Sequence, residues 1–534
     1  MKVLDDAARA AVRSVIATHQ AQLAALPGYV AAEPGFPLVD GRFLREPAVI
    51  VLVDRKRPLS EVPVAERVPR QLGPYRVCVM QADPARQLAA SADFEDTVNA
   101  LAEAAVGLVY KPPAGQPIDK VYNVKQPFLC HVGPDAGWPV LRPFLEGTTR
   151  SLSVAMYDFN ADHVAQVFID LVRDGGIAAA LSWDDGMTKE EQVIRKKLRK
   201  LQQEADFTAW LVQCGKGRRF ASAYHEKVAV RDHKAFWLSS GNWSKRSQPD
   251  IDPVATPAQA KGMFSKGNRE WHVICNDAVL SKVFEKYILH DLKASEKEEA
   301  DGAADAALDV APKLTLPDVF VPLDHLLEQA VAFAGPVVPV EPARLPAVKT
   351  TVKVQPVLTP DNYLPHINAL IDSAQTSLYL QFAYITWSDA DKDADFRALL
   401  RKLAQRSTEP DLDLRIILGS TSAADNIRKL VEAGCNQDVF RVQGSIHNKG
   451  IIVDGQAVLV SSTNWSGDGV LRNRDAGLII HNEEVAQYYQ QVFLDDWDSR
   501  AKSRVDDDPP VTLASAGAPT PPGMVRMSWS DYHG

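Results

Sequence analysis

Cysteine is scarce in this chain of 534 residues: there are five, at positions 78, 130, 214, 275 and 435, and none are close neighbours. Without a CxxC pair or an even cluster, neither a zinc ribbon nor a disulfide framework is supported. The thiols read as reduced and buried, which leads us to expect a cytoplasmic protein. Long apolar runs are also missing. No stretch approaches the ~18 residues that a membrane-crossing helix needs. The opening MKVLDDAARAAVRS has no apolar core, so no export signal is expected. Nor is there an excess of positive charge. The 59 Lys and Arg are outnumbered by 68 Asp and Glu, for a net charge of -9. Such a balance argues against extended, sequence-independent wrapping of nucleic acid but leaves room for a local anion site. HExxH and EF-hand patterns are absent, and the stretch Gly215-Lys216-Gly217-Arg218-Arg219 fits neither a P-loop nor a dinucleotide fingerprint.

What the chain does contain is ordinary globular composition, 46% hydrophobic and 24% charged, at a length that implies several units. Residues 1–125 read as a small α/β accessory domain, with helical spacing over 4–25 and strands at AVIVLVDRK and YRVCVMQ. Downstream, a pattern recurs. Pro134, Leu141 and Ser151 reappear at constant offset as Pro360, Ile367 and Ser377. In each copy a Pro-Asp pair precedes a helical stretch, with the carboxylate suited to the helix N-terminus. A strand follows, RSLSVAMYDF or TSLYLQFAYI, and later another, IAAALSW or LRIILGS. We therefore expect a duplicated α/β unit, over 126–295 and 351–500. Residues 296–350, rich in Ala, Pro and acid, read as an extended linker with one short helix at LDHLLEQAVAF. Residues 501–534 read as a disordered tail.

Within each copy lies a denser match. HEKVAVRDHKAFWLSSGNWS runs from His225, and HNKGIIVDGQAVLVSSTNWS from His447. His225, Lys227, Asp232, Ser240 and Asn242 fall in register with His447, Lys449, Asp454, Ser462 and Asn464. Residues two apart on a strand share a face, and Asp454-Gly455 signals a hairpin. One hairpin thus presents imidazole, ammonium, hydroxyl and amide at one rim. Lys and Asn can donate to the non-bridging oxygens of a phosphodiester. Histidine can attack phosphorus or move a proton near neutral pH. Phosphoryl transfer has two ends, so two histidines have two tasks. Each copy also carries a later carboxylate, Glu270 or Asp475, able to fix a histidine tautomer.

This paired pattern resembles the phospholipase D superfamily, whose signature is the duplicated HKD motif; the likeness covers about 126–500. The resemblance implies two α/β repeats packed as an internal pseudo-dimer with both motifs at one cleft. It implies His225 as nucleophile and His447 as general acid and base. It implies Lys227 and Lys449 as further members of the catalytic set; Asp232 and Asp454 complete the motif, but turn-forming aspartates often serve only the backbone, and structural support is the favoured reading for both. Asn242 and Asn464 would bind phosphate, Ser240 and Ser462 would contact phosphate or brace the hairpin, Glu270 and Asp475 would orient the histidines, and neither metal nor cofactor would be needed. The activity implied is hydrolysis of a phosphodiester through a phosphohistidine, with a glycerophospholipid head group favoured and transient contact with a membrane surface. A metal-independent endonuclease acting on nucleic acid, and a non-catalytic phosphate-binding scaffold, remain as alternatives. The accessory domain would bind a partner of its own.

Two departures stand out. Asp475 occupies a place where the family usually has Glu. The stretch between Asn242 and Asn268 is far longer than that between Asn464 and Asn473, and reads equally as a gate or a surface insertion. Trp243 and Trp465 read as packed aromatics or stacking platforms. The basic run Arg195 to Lys200 reads as the solvated face of a helix. His131 and His233 read as structural or surface residues.

Overall fold

The computed structural model describes residues 3–91, 108–115, 117–185, 188–301, 317–326, 337–348, 350–515, 517–529 and 532. Two eight-stranded mixed sheets dominate it. The first runs, in spatial order, Phe207–Val212, Ala178–Asp184, Ser151–Met156, Lys227–Arg231, Ala235–Ser239, Glu270–Cys275, Phe128–Gly133, Ala343–Leu345. The second runs Phe440–Gln443, Asp413–Gly419, Ser377–Phe382, Lys449–Val453, Ala457–Ser461, Ala476–His481, Val352–Leu358, Tyr122–Val124. In each, the first three strands are parallel and the rest antiparallel. Both sheets are covered on both faces, which is why their strands read as nearly continuous apolar runs.

The last strand of each sheet is exchanged. Tyr122–Val124 lies just before Phe128–Gly133 in the chain but pairs with Val352–Leu358 of the second sheet. Ala343–Leu345 lies just before Val352–Leu358 but pairs with Phe128–Gly133 of the first.

Between the sheets lies one shared core. Val228, Val230, Phe236 and Leu238 of the first repeat meet Ile452, Val458, Val460 and Leu478 of the second, with Phe284 and Phe493 from helices Ala278–Ala300 and Glu483–Ser499. Separate apolar clusters fill the outer face of each sheet.

The N-terminal unit packs helix Asp6–Ala24 on a four-stranded sheet in which Ala48–Val53 and Tyr75–Gln81 pair in parallel. It is not a free-standing appendage. Leu4, Phe36, Phe43, Ile50 and Leu52 are continuous with the outer core of the second repeat. Arg428, fully buried, binds Glu33 of this unit together with Asp425 and Glu432. Burial alone would raise the Glu33 carboxyl, but Arg428, Lys429 and Arg86 hold it far below the usual range.

The end of the chain departs from its composition. Thr512–Ala514 and Met524–Met527 pair antiparallel with Asp318–Pro322, making a three-stranded sheet from linker and tail. Val319, Val321 and Val511 bury together at its centre. Averaged over the segment, Ala, Pro and acid conceal the alternation in DVFVP and the apolar positions of the tail that match it. Of the helix expected at LDHLLEQAVAF, the residues after Leu326 lie outside those described. Among the described residues, no helix is long and apolar enough to cross a membrane.

Candidate functional site

Each motif hairpin begins at the cleft and turns away from it. Lys227–Arg231 and Ala235–Ser239 pair in register, as do Lys449–Val453 and Ala457–Ser461. Both turns place two consecutive residues at positive φ: Asp232 and His233 in one, Asp454 and Gly455 in the other. This is the backbone that tight hairpins require. His225 and His447 therefore stand at the opposite end of a five-residue strand from the motif aspartates. All four cationic positions are buried, His225, Lys227, His447 and Lys449. Each lysine folds back to donate to the carbonyl of its own histidine, Lys227 to His225 at 2.8 Å and Lys449 to His447 at 2.5 Å.

The histidines are braced across the repeats. Nδ1 of His225 lies 2.7 Å from Oδ1 of Asp475, and Nδ1 of His447 lies 2.7 Å from Oε1 of Glu270. Backbone pairing produces this exchange. The His225 N–H donates to the Arg474 carbonyl at 2.6 Å, and the His447 N–H donates to the Arg269 carbonyl at 3.1 Å. Each Asn-Arg-acid segment thus lies beside the approach to the other repeat's histidine. Both Nε2 atoms are buried without a hydrogen-bond partner. With Nδ1 committed to a carboxylate, Nε2 is left as the reactive nitrogen.

Burial sets the electrostatics. It presses the His225 imidazole down to about 3, with Lys227 adding to the effect and Asp475 opposing it. His447 is lowered by burial too, against the pull of Glu270. Lys449 falls to about 7 through burial, with Glu270 and Asp475 resisting. Lys227 falls well below the usual lysine value through burial and then the charge of Lys449. Burial pushes Glu270 up, but His447 and Lys449 together with Ser240 bring it down to about 2. Cationic groups are crowded here with less negative charge than they need, which favours an entering anion.

The comparisons with known proteins bear on this arrangement. A family model described as cardiolipin synthase, PLD-like domain, matches residues 367–497. Phospholipase D of Rickettsia conorii (strain ATCC VR-613 / Malish 7) is 32% identical over 127 residues, 23% of this chain and 58% of that protein. Phospholipase D of Rickettsia felis (strain ATCC VR-1525 / URRWXCal2) is 31% identical over the same shares. Residues 367–497 thus match a phospholipase D-like domain. The chain spans somewhat over half the length of the curated relatives it matches. Among solved structures, phosphatidylserine synthase of Haemophilus influenzae Rd KW20 aligns with a TM-score of 0.41 at 12% identity, over 76% of this chain and 91% of that one. Nuc from Salmonella typhimurium, a phospholipase D family member, aligns with a TM-score of 0.23 at 21% identity, over 28% of this chain and 96% of that one.

Asp232 and Asp454 stand apart from the histidines, in the supporting role favoured for turn-forming aspartates, and are not among the reacting groups. Asp232 accepts backbone N–H bonds from Thr149, Arg150 and Ser151, and Asp454 from Gln375, Thr376 and Ser377. They fasten the hairpin turn to the start of the neighbouring strand, at the end remote from the histidines. Ser240 and Ser462 are not poised for phosphate either. Ser240 donates to Glu270 at 2.6 Å and accepts the Trp271 N–H; Ser462 donates to Asp475 at 2.8 Å and accepts the Ala476 N–H. Both serines hold the carboxylates that hold the histidines. Asn242 and Asn464 are buried just beyond the return strands. The Asn242 carbonyl accepts the Asp158 N–H at 3.4 Å, and that of Asn464 has no partner.

The shorter Asp475 reaches its histidine at the same distance as Glu270 does. The long stretch after Asn242 is no surface loop. Ser247 donates to Glu270 at 2.9 Å, and Arg246 donates to Asn268 and to Ser445 of the second repeat. Ile251, Met263 and Phe264 are buried beneath it.

Arg269 and Arg474 had no role assigned from their place beside the two carboxylates. Both are fully buried. Arg269 binds Asp135 at 2.5 Å and Asp496 at 2.9 Å; Arg474 binds Asp361 at 2.7 Å and Asp291 at 2.8 Å. The Pro-Asp aspartates are therefore arginine partners, and Asp135 makes no side-chain cap for helix Gly137–Glu146. Tyr157 was also missed. Its ring meets His225 edge-on at 4.7 Å and lies 4.9 Å beneath the Lys227 ammonium. Trp243 and Trp465 are core residues, packed on Phe159 and on Phe382. Arg219 turns away from the cleft to Ser295 and Asp291. His131 stacks on His272 in the core of the first repeat, and the half-exposed His233 pairs with Glu285. Lys197 and Lys200 are solvated partners of Asp162 and Glu204.

Proposed function

We propose that the protein is a phosphodiesterase that cleaves a phosphodiester, favouring a glycerophospholipid head group, in two displacements through a phosphohistidine. Nε2 of His225 attacks phosphorus; the N–P bond forms as the P–O bond to the leaving alcohol breaks. His447, as imidazolium, protonates that departing oxygen. His447, now neutral, then takes a proton from water or an alcohol, which attacks phosphorus and releases His225. Lys227, Lys449, Asn242 and Asn464 receive the non-bridging oxygens, and their charge is most useful as negative charge gathers in the transition state.

The observation that carries this reading is the reciprocal brace. Each imidazole is tied at Nδ1 to a carboxylate of the other repeat, and each Nε2 is left unbound. An entering phosphate also offers what the free site lacks. Its negative charge restores the protonated forms of His447 and Lys449 that burial disfavours. The names of the matched relatives favour a phospholipid among possible diesters, with the substrate taken at a membrane surface. Vesicles of phosphatidylcholine and of phosphatidylglycerol, set beside single-stranded DNA, test this. Release of head group that persists in EDTA and is lost in His225→Ala and in His447→Ala is the expected result. Cleavage of DNA alone, or turnover retained in either variant, overturns it.

A further inference from the structure

Beside His447 lies a small, open-mouthed cavity whose walls have two origins. The repeats supply a mostly polar part, His447 and Arg246 among it, with Ala383 and Ile446. The linker and tail supply a mostly apolar part, Val321, Leu326, Met527 and Tyr532, with His325. This second wall is built in. Val321 is buried in the core of the linker–tail sheet, with Leu326, Met527 and Tyr532 packed on it. The tail is fastened before it reaches the cavity. Asp508 receives the Ala424 N–H at 3.0 Å, and the Val511 carbonyl accepts from Gln87 at 2.7 Å and from Gln81 at 3.2 Å. Beyond the strand, the Tyr532 carbonyl accepts the Thr421 hydroxyl at 3.1 Å.

A catalytic histidine and an arginine therefore share one small space with a fixed apolar surface. Nothing in phosphoryl transfer itself calls for that surface, and a polymeric, evenly charged phosphodiester would leave it unsatisfied. We propose that the linker–tail sheet is the specificity wall of the site, and that it receives an aliphatic group attached directly to the reacting phosphate. The inference rests on the phosphodiesterase reading and narrows it to amphiphilic monomeric diesters, selected by Leu326 and Met527 in particular.

The test uses the full chain and two pairs of probes. Hydrolysis of 4-nitrophenyl octyl phosphate is compared with that of 4-nitrophenyl methyl phosphate, and binding of octylphosphonate with that of methylphosphonate by calorimetry. Each methylene taken from water improves affinity by about fourfold, so a wall that covers even two of them gives the octyl probes at least a tenfold advantage. The octyl-to-methyl ratio should collapse in Met527→Gln and in Leu326→Asn, two changes at half-buried positions on separate segments. A variant that merely misfolds lowers both probes together and leaves the ratio unchanged. Equal ratios in wild type and both variants, with the methyl ester still hydrolysed at the wild-type rate in each, overturn the proposal and uphold the phosphodiesterase reading. Chain-length-dependent binding without any hydrolysis upholds the wall and overturns that reading.

Discussion

Asp475 of the second repeat lies 2.7 Å from Nδ1 of His225 in the first, and no residue of the first repeat makes that contact. The same is true in reverse of Glu270 and His447. Each imidazole takes its Nδ1 carboxylate from the other repeat, so each half of the duplication completes the other's site.

Asp475→Asn tests that dependence. The amide is isosteric but cannot stabilise an imidazolium or hold the same tautomer. A loss of roughly 10²- to 10⁴-fold in kcat, with KM little changed, is the expected outcome. Pre-steady-state kinetics would locate the loss in formation of the phosphohistidine. A variant with normal kcat would show that the cross-repeat contact is only structural.

Ser240→Ala and Ser462→Ala should behave as positioning changes. Each removes one hydrogen bond to a buried carboxylate, worth about 1.5–3 kcal/mol when the acceptor is charged. The expected pattern is a lower kcat and an unchanged affinity for inorganic phosphate. Weakened phosphate binding in the serine variants would instead return them to the substrate-contact role that the motif implied.

Acid should destabilise the fold in a defined window. His225 is pressed to about 3 in the folded chain, below the ordinary histidine value near 6.5. Between those limits the unfolded chain binds the proton more readily, so stability is present above 6.5 and is lost as pH falls toward 3. Glu270, held down to about 2, adds a loss of the same sign below its ordinary value of 4.5. Thermal unfolding from pH 7 to pH 4 should show the decline, and His225→Gln, which cannot charge, should flatten it. An unchanged slope in that variant would count against the depressed histidine.

Inorganic phosphate should protect the folded chain by mass action, by about 2.7 kcal/mol at one hundred times its dissociation constant. The protection should vanish in Lys227→Met and in Lys449→Met, and should weaken with salt. Protection that persists in both variants would place the anion elsewhere.

Arg474→Ala leaves Asp291 and Asp361 buried without their cation. Truncating one member of such a buried network costs about 3–5 kcal/mol, read as a large drop in thermal stability. A drop of only a degree or two would show that water reaches those carboxylates.

Much of this site was legible because the motif is local. His-x-Lys on a strand and Ser-x-Asn at the end of its return strand are short-range facts, and a period of two residues places them without a structure. Asp232 and Asp454 were legible as turn residues, but what they fasten was not. They are close to Lys227 and Lys449 in sequence, but a five-residue strand carries them to the far end of the sheet. Ser240 was legible as a neighbour of the site but not as a partner of Glu270, since that contact depends on the return of a strand 30 residues later. The exchange of carboxylates, and the pairing of Arg269 with Asp496, join residues more than two hundred positions apart, and no spacing rule reaches them. The linker–tail sheet was hidden for another reason: composition is an average, and three short alternating segments do not move it.

The traded edge strands have a consequence for how the chain can be divided. Tyr122–Val124 and Ala343–Leu345 act as a double clasp, each buttoning a sheet that is not its own. A fragment ending before residue 343 would present the open rim of Phe128–Gly133, and one starting after residue 124 would uncover Val352–Leu358. Either would be a sticky, half-finished surface of the kind that recruits another chain. The duplication is therefore no longer separable into two workable halves: what began as a tandem pair has become a single indivisible body.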